Sequence, residues 1–137
     1  MRVFRLAAMR RAPCLGHAEF VPVRCLLVDD LRTFLDTARG LLDRDGVAVA
    51  GTASSTAEAL VQASSLSLDV AVIDIGLGDE NGFDLARQLA DRGIAVIMTS
   101  ASAESDYADL IADSPAAGFL PKAELSAGRI RRLLGLP

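Results

Sequence analysis

Apolar residues follow two alternating patterns along this chain. Short apolar runs rich in Val, Ile, Leu and Ala alternate with segments in which apolar residues return every three or four positions. The short runs are typical of strands buried on both faces, and the longer segments are typical of amphipathic helices. The strands are predicted at 23–28, 47–52, 70–74, 94–99 and 116–120.

The helical segments follow the strands one by one. In the first of them, a single face carries apolar residues at positions 31, 34, 35, 38, 41 and 42. The second opens with Ser55 and Glu58 at the spacing of a capping box. Strands that alternate with helices form a parallel sheet with right-handed crossovers and helices on both faces. The helices are predicted at 31–42, from Ser55 to about Ala63, and near 83–91, 105–112 and 124–134.

The third predicted strand ends in a polar residue. Asp74 closes the apolar run, and a loop of glycines, acids and an Asn follows it up to Gly82. In an open α/β sheet, ligands bind beyond the carboxyl ends of the strands, which is where Asp74 is predicted to lie. Asp also starts turns without any further role, and for Asp74 alone that interpretation would be preferred.

Three other strand ends also carry chemically active groups. Asp29 and Asp30 follow the first strand, Ser100 follows the fourth, and Lys122 follows the fifth. Each has a simpler explanation, because Asp and Ser often cap helices and a lysine is usually solvated. The simple explanation is less convincing for all of them together, since parallel strands bring their carboxyl ends to one edge of the sheet.

Such an edge predicts phosphoryl chemistry. Three carboxylates placed close together repel one another and would raise the pKa of at least one of them. A divalent cation such as Mg²⁺, which takes carboxylate and phosphoryl oxygens, would relieve that repulsion. Lys122 is the only lysine in the chain, and its ammonium suits a phosphoryl oxygen, as does the hydroxyl of Ser100. Asp74 is then the natural nucleophile, because a carboxylate can form an acyl phosphate.

Composition narrows the class of protein. The chain has 137 residues, enough for one domain, and a net charge of −4. Its acidic body argues against nucleic acid as a partner, and no apolar run is long enough to cross a membrane. We expect a weakly ordered, arginine-rich extension at 1–22 and one domain at 23–137.

The cysteines and the histidine add little chemistry. Cys14 and Cys25 do not form a disulfide framework and suggest a reducing cytoplasm. The single histidine, His17, lies in the predicted extension. Catalysis or metal binding by histidine is therefore not expected.

The order of the motifs along the chain resembles that of a known family. The motifs are Asp29-Asp30, Asp74, Gly82, Ser100-Ala101 and Phe119-x-x-Lys122. In this order and spacing the chain resembles the receiver domain of two-component response regulators, from about residue 23 to residue 134. The resemblance implies a flavodoxin-like sheet with strand order 2-1-3-4-5.

The resemblance also implies a role for each site residue. Asp74 would accept a phosphoryl group from a histidine kinase, a phosphotransfer protein or a small acyl phosphate. Ser100 and Lys122 would then hold the phosphoryl oxygens. The Mg²⁺ ligands would be Asp30, Asp74 and the carbonyl of Gly76, with Asp29 acting mainly through water.

The implied output is a change of a protein-binding surface. Phe119 would be the aromatic switch that turns inward when Ser100 moves, and the surface would lie around the fourth helix, fifth strand and fifth helix. The expected protein is a stand-alone cytoplasmic receiver in a phosphorelay that docks on a downstream protein and is not itself an enzyme. The sequence leaves open whether the chain dimerises.

Some positions depart from the family pattern. Leu77-Gly78 stands where Met-Pro is common, which predicts a more flexible loop. Pro121 precedes Lys122 instead of following it, and Phe119 replaces the frequent Tyr. Two alternatives remain: a haloacid-dehalogenase-like phosphohydrolase, which expects a second Asp at the position of Gly76, and a pseudo-receiver that works without phosphorylation.

Overall fold

The computed structural model describes residues 22–78, 80–102 and 106–136. Within these residues, five parallel strands alternate with five α-helices. The strands are β1 (Val23–Val28), β2 (Val47–Ala53), β3 (Val70–Asp74), β4 (Ala95–Ser100) and β5 (Gly118–Pro121). The helices are α1 (Arg32–Arg44), α2 (Thr56–Ser65), α3 (Gly82–Asp91), α4 (Ala108–Ala112) and α5 (Ala127–Leu133), with a 3₁₀ turn at Lys122–Glu124 before α5.

The sheet has the order β2-β1-β3-β4-β5, and every neighbouring pair is parallel. The prediction of a doubly wound sheet in the order 2-1-3-4-5 is thus confirmed. The chain winds in one direction from β1 to β2 and in the other from β3 to β5. The point where the winding reverses lies between β1 and β3, which is where such sheets bind ligands.

Each face of the sheet carries its own hydrophobic core, because successive side chains of a strand point to opposite faces. Leu26 and Ile73 belong to the core under α2 and α3, whereas Leu27 and Val72 belong to the core under α1 and α5. All five residues of β3 are buried. The continuous apolar runs of the sequence therefore reflect burial on both faces, as predicted.

Two element boundaries near the end of the chain were predicted wrongly. The fifth strand begins at Gly118 instead of residue 116 and includes Pro121, which an edge strand tolerates because its outer side needs no N–H donor. The last α-helix begins at Ala127 instead of residue 124. Its start is fixed by the Ser126 hydroxyl, which accepts a hydrogen bond from the Arg129 N–H.

Helix α2 is capped nearly as predicted. The Ser55 hydroxyl accepts a hydrogen bond from the Glu58 N–H, as in a capping box. The carboxylate of Glu58, however, bonds the N–H of Ser54 and not that of Ser55. The helix therefore starts at Thr56, and these two hydrogen bonds fix its first turn.

Several predictions fall outside the described residues. The expected extension at 1–22 lies outside them except for Pro22, and Ser105, the expected start of the fourth helix, lies outside as well.

Cys25 is buried in β1, and this burial raises the pKa of its thiol to about 12, so it is unreactive at neutral pH. None of the described helices is long and apolar enough to cross a membrane.

Candidate functional site

The register of β1 and β3 brings Asp29 and Asp74 together. Val28 at the end of β1 pairs with Ile73 of β3. The next residues, Asp29 and Asp74, therefore leave their strands at the same level of the sheet. Both carboxylates are buried, with only 1% and 7% of the residue surface exposed.

The register of β4 and β5 adds the other two groups. Asp74 pairs with Thr99, so Ser100 lies one residue further along the same edge. Ser100 in turn pairs with Pro121, and Lys122 follows directly. All four predicted strand ends thus meet beside the point where the winding reverses.

Asp29, Asp30 and Asp74 form an acidic cluster. Each offers a carboxylate oxygen, and these atoms all lie within 4.8 Å of one another. Asp29 and Asp74 are buried, while Asp30 faces solvent. The cluster has one side open, which is the arrangement a cation needs if it is to keep waters and accept further oxygen ligands.

Helix capping does not explain this cluster. Helix α1 has Leu31 as its N-cap residue and no side-chain cap. The Asp29 carboxylate does accept a hydrogen bond from the Leu31 N–H at 2.9 Å, through Oδ1. Its other oxygen and the carboxylate of Asp30 take no part in capping.

Lys122 supplies the positive charge of the site. Its Nζ lies 2.7 Å from Asp29 Oδ2 and 3.7 Å from Asp74 Oδ2, and its side chain is only 15% exposed. This ion pair is the only polar contact of Asp29 Oδ2 among the described residues. Nζ also lies 4.8 Å from the centre of the Phe34 ring, a contact that the sequence pattern did not predict.

The pKa of Asp74 is raised above its ordinary value of 3.8. Burial is the largest cause, followed by the negative charge of Asp29, and Asp30 adds to it. The Lys122 ammonium and the Gly76 N–H, which donates to Asp74 Oδ1 at 3.3 Å, act in the opposite direction. Repulsion between carboxylates was predicted to raise a pKa here, and it does so as the second cause after desolvation.

Ser100 and Phe119 lie on neighbouring strands. The Ser100 hydroxyl accepts a hydrogen bond from the Ser102 N–H at 3.0 Å, which leaves its proton free to be donated. Phe119 is 8% exposed and belongs to the core under α2 and α3. Phe119 is therefore already buried in this structure, and its role as a switch remains a prediction.

The loop after β3 is held by two contacts that the sequence did not indicate. Leu77 is 1% exposed and fills the core under α2 and α3. The Glu80 carboxylate accepts a hydrogen bond from the N–H of Thr56, at the start of α2. Gly78 has a φ of 56°, which favours glycine. The glycines predicted a flexible loop, but its described residues are anchored on both sides of Gly78.

Gly82 brings α3 close to the candidate phosphoacceptor strand. A Cβ on this residue would lie 2.5 Å from the backbone oxygen of Asp74 and 3.3 Å from a methyl carbon of Ile73. Only glycine allows this approach without a backbone shift. Gly82, one of the residues on which the family resemblance rests, is therefore required for a steric reason.

The site fits a divalent cation with oxygen ligands. Three carboxylates converge, the buried Asp29 Oδ2 has the Lys122 ammonium as its single polar contact among the described residues, and one ammonium cannot balance three negative charges. Hard cations such as Mg²⁺ prefer oxygen ligands. The donor set is therefore suited to Mg²⁺, and the predicted participation of the Gly76 carbonyl remains a prediction.

Comparison with known proteins identifies the family. The profile of the response regulator receiver domain matches residues 25–133. The chain belongs to this family. Receiver domains are signalling domains of two-component systems that normally bind Mg²⁺ at an acidic pocket. Family membership also favours a signalling domain over the phosphohydrolase considered above.

The receiver relatives include several transcriptional regulators. DevR/DosR of Mycobacterium tuberculosis is 36% identical over an alignment of 107 positions that covers 73% of this chain and 48% of that protein. The nitrate/nitrite response regulator NarP of Escherichia coli is 32% identical over 76% of this chain and 50% of its own length. The chain spans about half, or less, of the curated relatives it matches, so the stand-alone arrangement remains a prediction.

Solved receiver structures share the fold. The receiver domain of the putative regulator NarL of M. tuberculosis is 26% identical, with a TM-score of 0.72, over 83% of this chain and 94% of that one. A Burkholderia pseudomallei response regulator with a phosphorylated aspartic acid, calcium ion and citrate is 25% identical, with the same TM-score, over 81% and 66%. The flavodoxin-like receiver fold is thus confirmed.

The raised pKa of Asp74 predicts an effect on stability. In magnesium-free buffer at neutral pH, Asp74→Asn is expected to raise the free energy of unfolding by about 1 kcal/mol. The folded state resists ionisation of Asp74 more than the unfolded state does, so wild-type stability falls as the pH rises from 3.8 towards the folded-state pKa. The advantage of the variant should therefore disappear near pH 4.

Urea unfolding in the presence of a chelator, from pH 4 to pH 8, measures this difference. Asp36→Asn is the control, because Asp36 is exposed on α1, away from the acidic cluster. A gain for Asp74→Asn that is the same at all pH values would contradict the electrostatic explanation.

Proposed function

We propose that this chain receives a phosphoryl group on Asp74 in a magnesium-dependent reaction and thereby switches a protein-binding surface. The donor is a histidine kinase, a phosphotransfer protein or a small acyl phosphate. The observation that carries the proposal is the meeting of Asp74, two further carboxylates, Ser100 and Lys122 at one sheet edge, with Nζ 3.7 Å from the Asp74 carboxylate. A 25% identical relative holds a phosphorylated aspartic acid, which supports the same chemistry here.

In the proposed transfer, an oxygen of Asp74 attacks the phosphorus and forms a P–O bond. The bond from phosphorus to the donor breaks, and the donor leaves with that electron pair. The Lys122 ammonium and the Ser100 hydroxyl face the phosphoryl oxygens, where they stabilise negative charge. Asp30 and Asp74, with Asp29 nearby, would hold a Mg²⁺ ion, which would supply further neutralisation of charge.

The proposed switch uses Ser100 and Phe119. Once the hydroxyl of Ser100 turns to a phosphoryl oxygen, it gives up the hydrogen bond to the Ser102 N–H. The 101–102 segment and Phe119 on the neighbouring strand then rearrange, and the surface of α4, β5 and α5 changes. Helix α4 suits this role, because it has five residues and none of them is buried.

Intact mass spectrometry tests the proposal. Incubation with acetyl phosphate and Mg²⁺ is expected to add one phosphoryl group to the wild type, none in the presence of a chelator, and none to Asp74→Asn. Asp36→Asn is the matched control and should be modified like the wild type. A folded wild type that remains unmodified at saturating Mg²⁺ would overturn the proposal in favour of a pseudo-receiver, and turnover of a phosphomonoester would favour a hydrolase.

A further inference from the structure

The ammonium of Lys122 has an uncharged neighbour, the ring of Phe34. Phe34 lies in the first turn of α1 and is half-buried against the core under α1 and α5. Nζ lies 4.8 Å from the ring centre, well inside the range of a cation–π contact. The ammonium thus contacts both the Phe34 ring and the carboxylates of Asp29 and Asp74.

We propose that Phe34 is a positioning residue that keeps the Lys122 ammonium at the sheet edge when a divalent cation occupies the acidic cluster. The consequence for phosphoryl transfer rests on the function proposed above. The position of the ammonium itself does not depend on that function.

The argument concerns competition for Asp29. In this structure its carboxylate is the nearest partner of Nζ, at 2.7 Å. A divalent cation in the cluster attracts the same carboxylate and repels the ammonium, so the strongest contact of Lys122 weakens when the cation binds. The four-carbon side chain of lysine is flexible, and without another partner it would move away into solvent.

The ring of Phe34 is a partner that the cation does not remove. Its attraction for the ammonium comes from the ring quadrupole and is strongest where water is excluded. The Lys122 side chain is only 15% exposed, so this condition is met. With Phe34 in place, Nζ stays close to the Asp74 carboxylate, where a phosphoryl oxygen would arrive.

Because Lys122 is the only lysine in the chain, it provides a clean spectroscopic signal. Protein labelled with ¹³C at lysine Cε gives one folded-state resonance, and the ring current of Phe34 shifts the attached protons upfield. We expect this shift to persist on titration with Mg²⁺, to disappear in Phe34→Leu, and to return in Phe34→Tyr, which restores the ring. A shift unchanged in Phe34→Leu, or lost from the wild type when Mg²⁺ binds, would overturn the proposal.

The rate of modification by acetyl phosphate tests the consequence. Phe34→Leu should react about three- to ten-fold more slowly than the wild type at saturating Mg²⁺, and Phe34→Tyr should react at close to the wild-type rate. A purely packing role for Phe34 would lower the stability of Phe34→Leu without slowing its modification.

The outcomes separate the two proposals. A wild type that takes up no phosphoryl group refutes the proposed function, and the lysine signal then decides the positioning alone. A wild type that is modified, with Phe34→Leu reacting equally fast, refutes the role of Phe34 in transfer and leaves the proposed function intact.

Discussion

Replacing Lys122 with methionine is expected to lower the free energy of unfolding by about 3 kcal/mol in magnesium-free buffer. Methionine keeps most of the length and apolar body of the side chain but removes the ammonium. The variant would leave Asp29 charged and 1% exposed, with one oxygen that has no hydrogen-bond partner. The ammonium would then no longer oppose the repulsion of Asp29 with Asp74 and Asp30.

Two comparisons identify this loss as electrostatic. Addition of Mg²⁺ should restore a large part of the stability of Lys122→Met, because a cation in the cluster replaces the missing charge. The double variant Asp29→Asn/Lys122→Met should be more stable than Lys122→Met alone, since it removes the buried charge. Urea unfolding with and without Mg²⁺ measures both effects, and a loss that neither change reduces would point to packing.

Replacing Gly82 with alanine is expected to destabilise the fold by about 2 kcal/mol and to slow modification of Asp74. In a helix, alanine is normally the more favourable residue by about 1 kcal/mol. Here the new Cβ would lie 2.5 Å from the backbone oxygen of Asp74, so either α3 or the end of β3 must move. A displaced strand end would carry the reactive carboxylate away from Lys122.

Gly40→Ala is the matched control. Gly40 lies in the exposed interior of α1, and a Cβ there would meet nothing within 4 Å. This variant should be more stable than the wild type by about 0.5–1 kcal/mol and should be modified at the normal rate. Thermal unfolding and intact mass of the two variants test the steric argument, which fails if Gly82→Ala is as stable as the wild type.

The sequence was sufficient to predict the sheet and the main residues of its carboxyl edge. Runs such as the one that ends at Asp74 show buried strands directly, because both faces are covered. In a parallel sheet the strands end at one edge, so polar residues at the strand ends predict a site without knowledge of any contact. The convergence of Asp29, Asp74 and Lys122 follows from this rule.

Contacts between elements distant in the chain could not be predicted in the same way. Phe34 lies on the apolar face of α1, where its ring is indistinguishable by pattern from any other core residue. Leu77 and Glu80 lie in a segment whose glycines predict a flexible loop. Their contacts with the core and with Thr56 depend on where α2 and α3 lie. The start of β5 was misplaced because Ala116 and Ala117 continue the apolar run, although the strand begins only at Gly118.

The position of β5 at the sheet edge affects how long the Lys122 ammonium stays beside the acidic cluster. β5 has four residues and is bonded only to β4, so the free energy needed to open it locally can be far below that of global unfolding. Lys122 follows its last residue directly. Whenever β5 detaches, the acidic cluster loses its ammonium while the carboxylates on β1 and β3 stay in place. Local opening of β5, which amide hydrogen exchange measures, therefore sets the time for which the charge balance of the site persists.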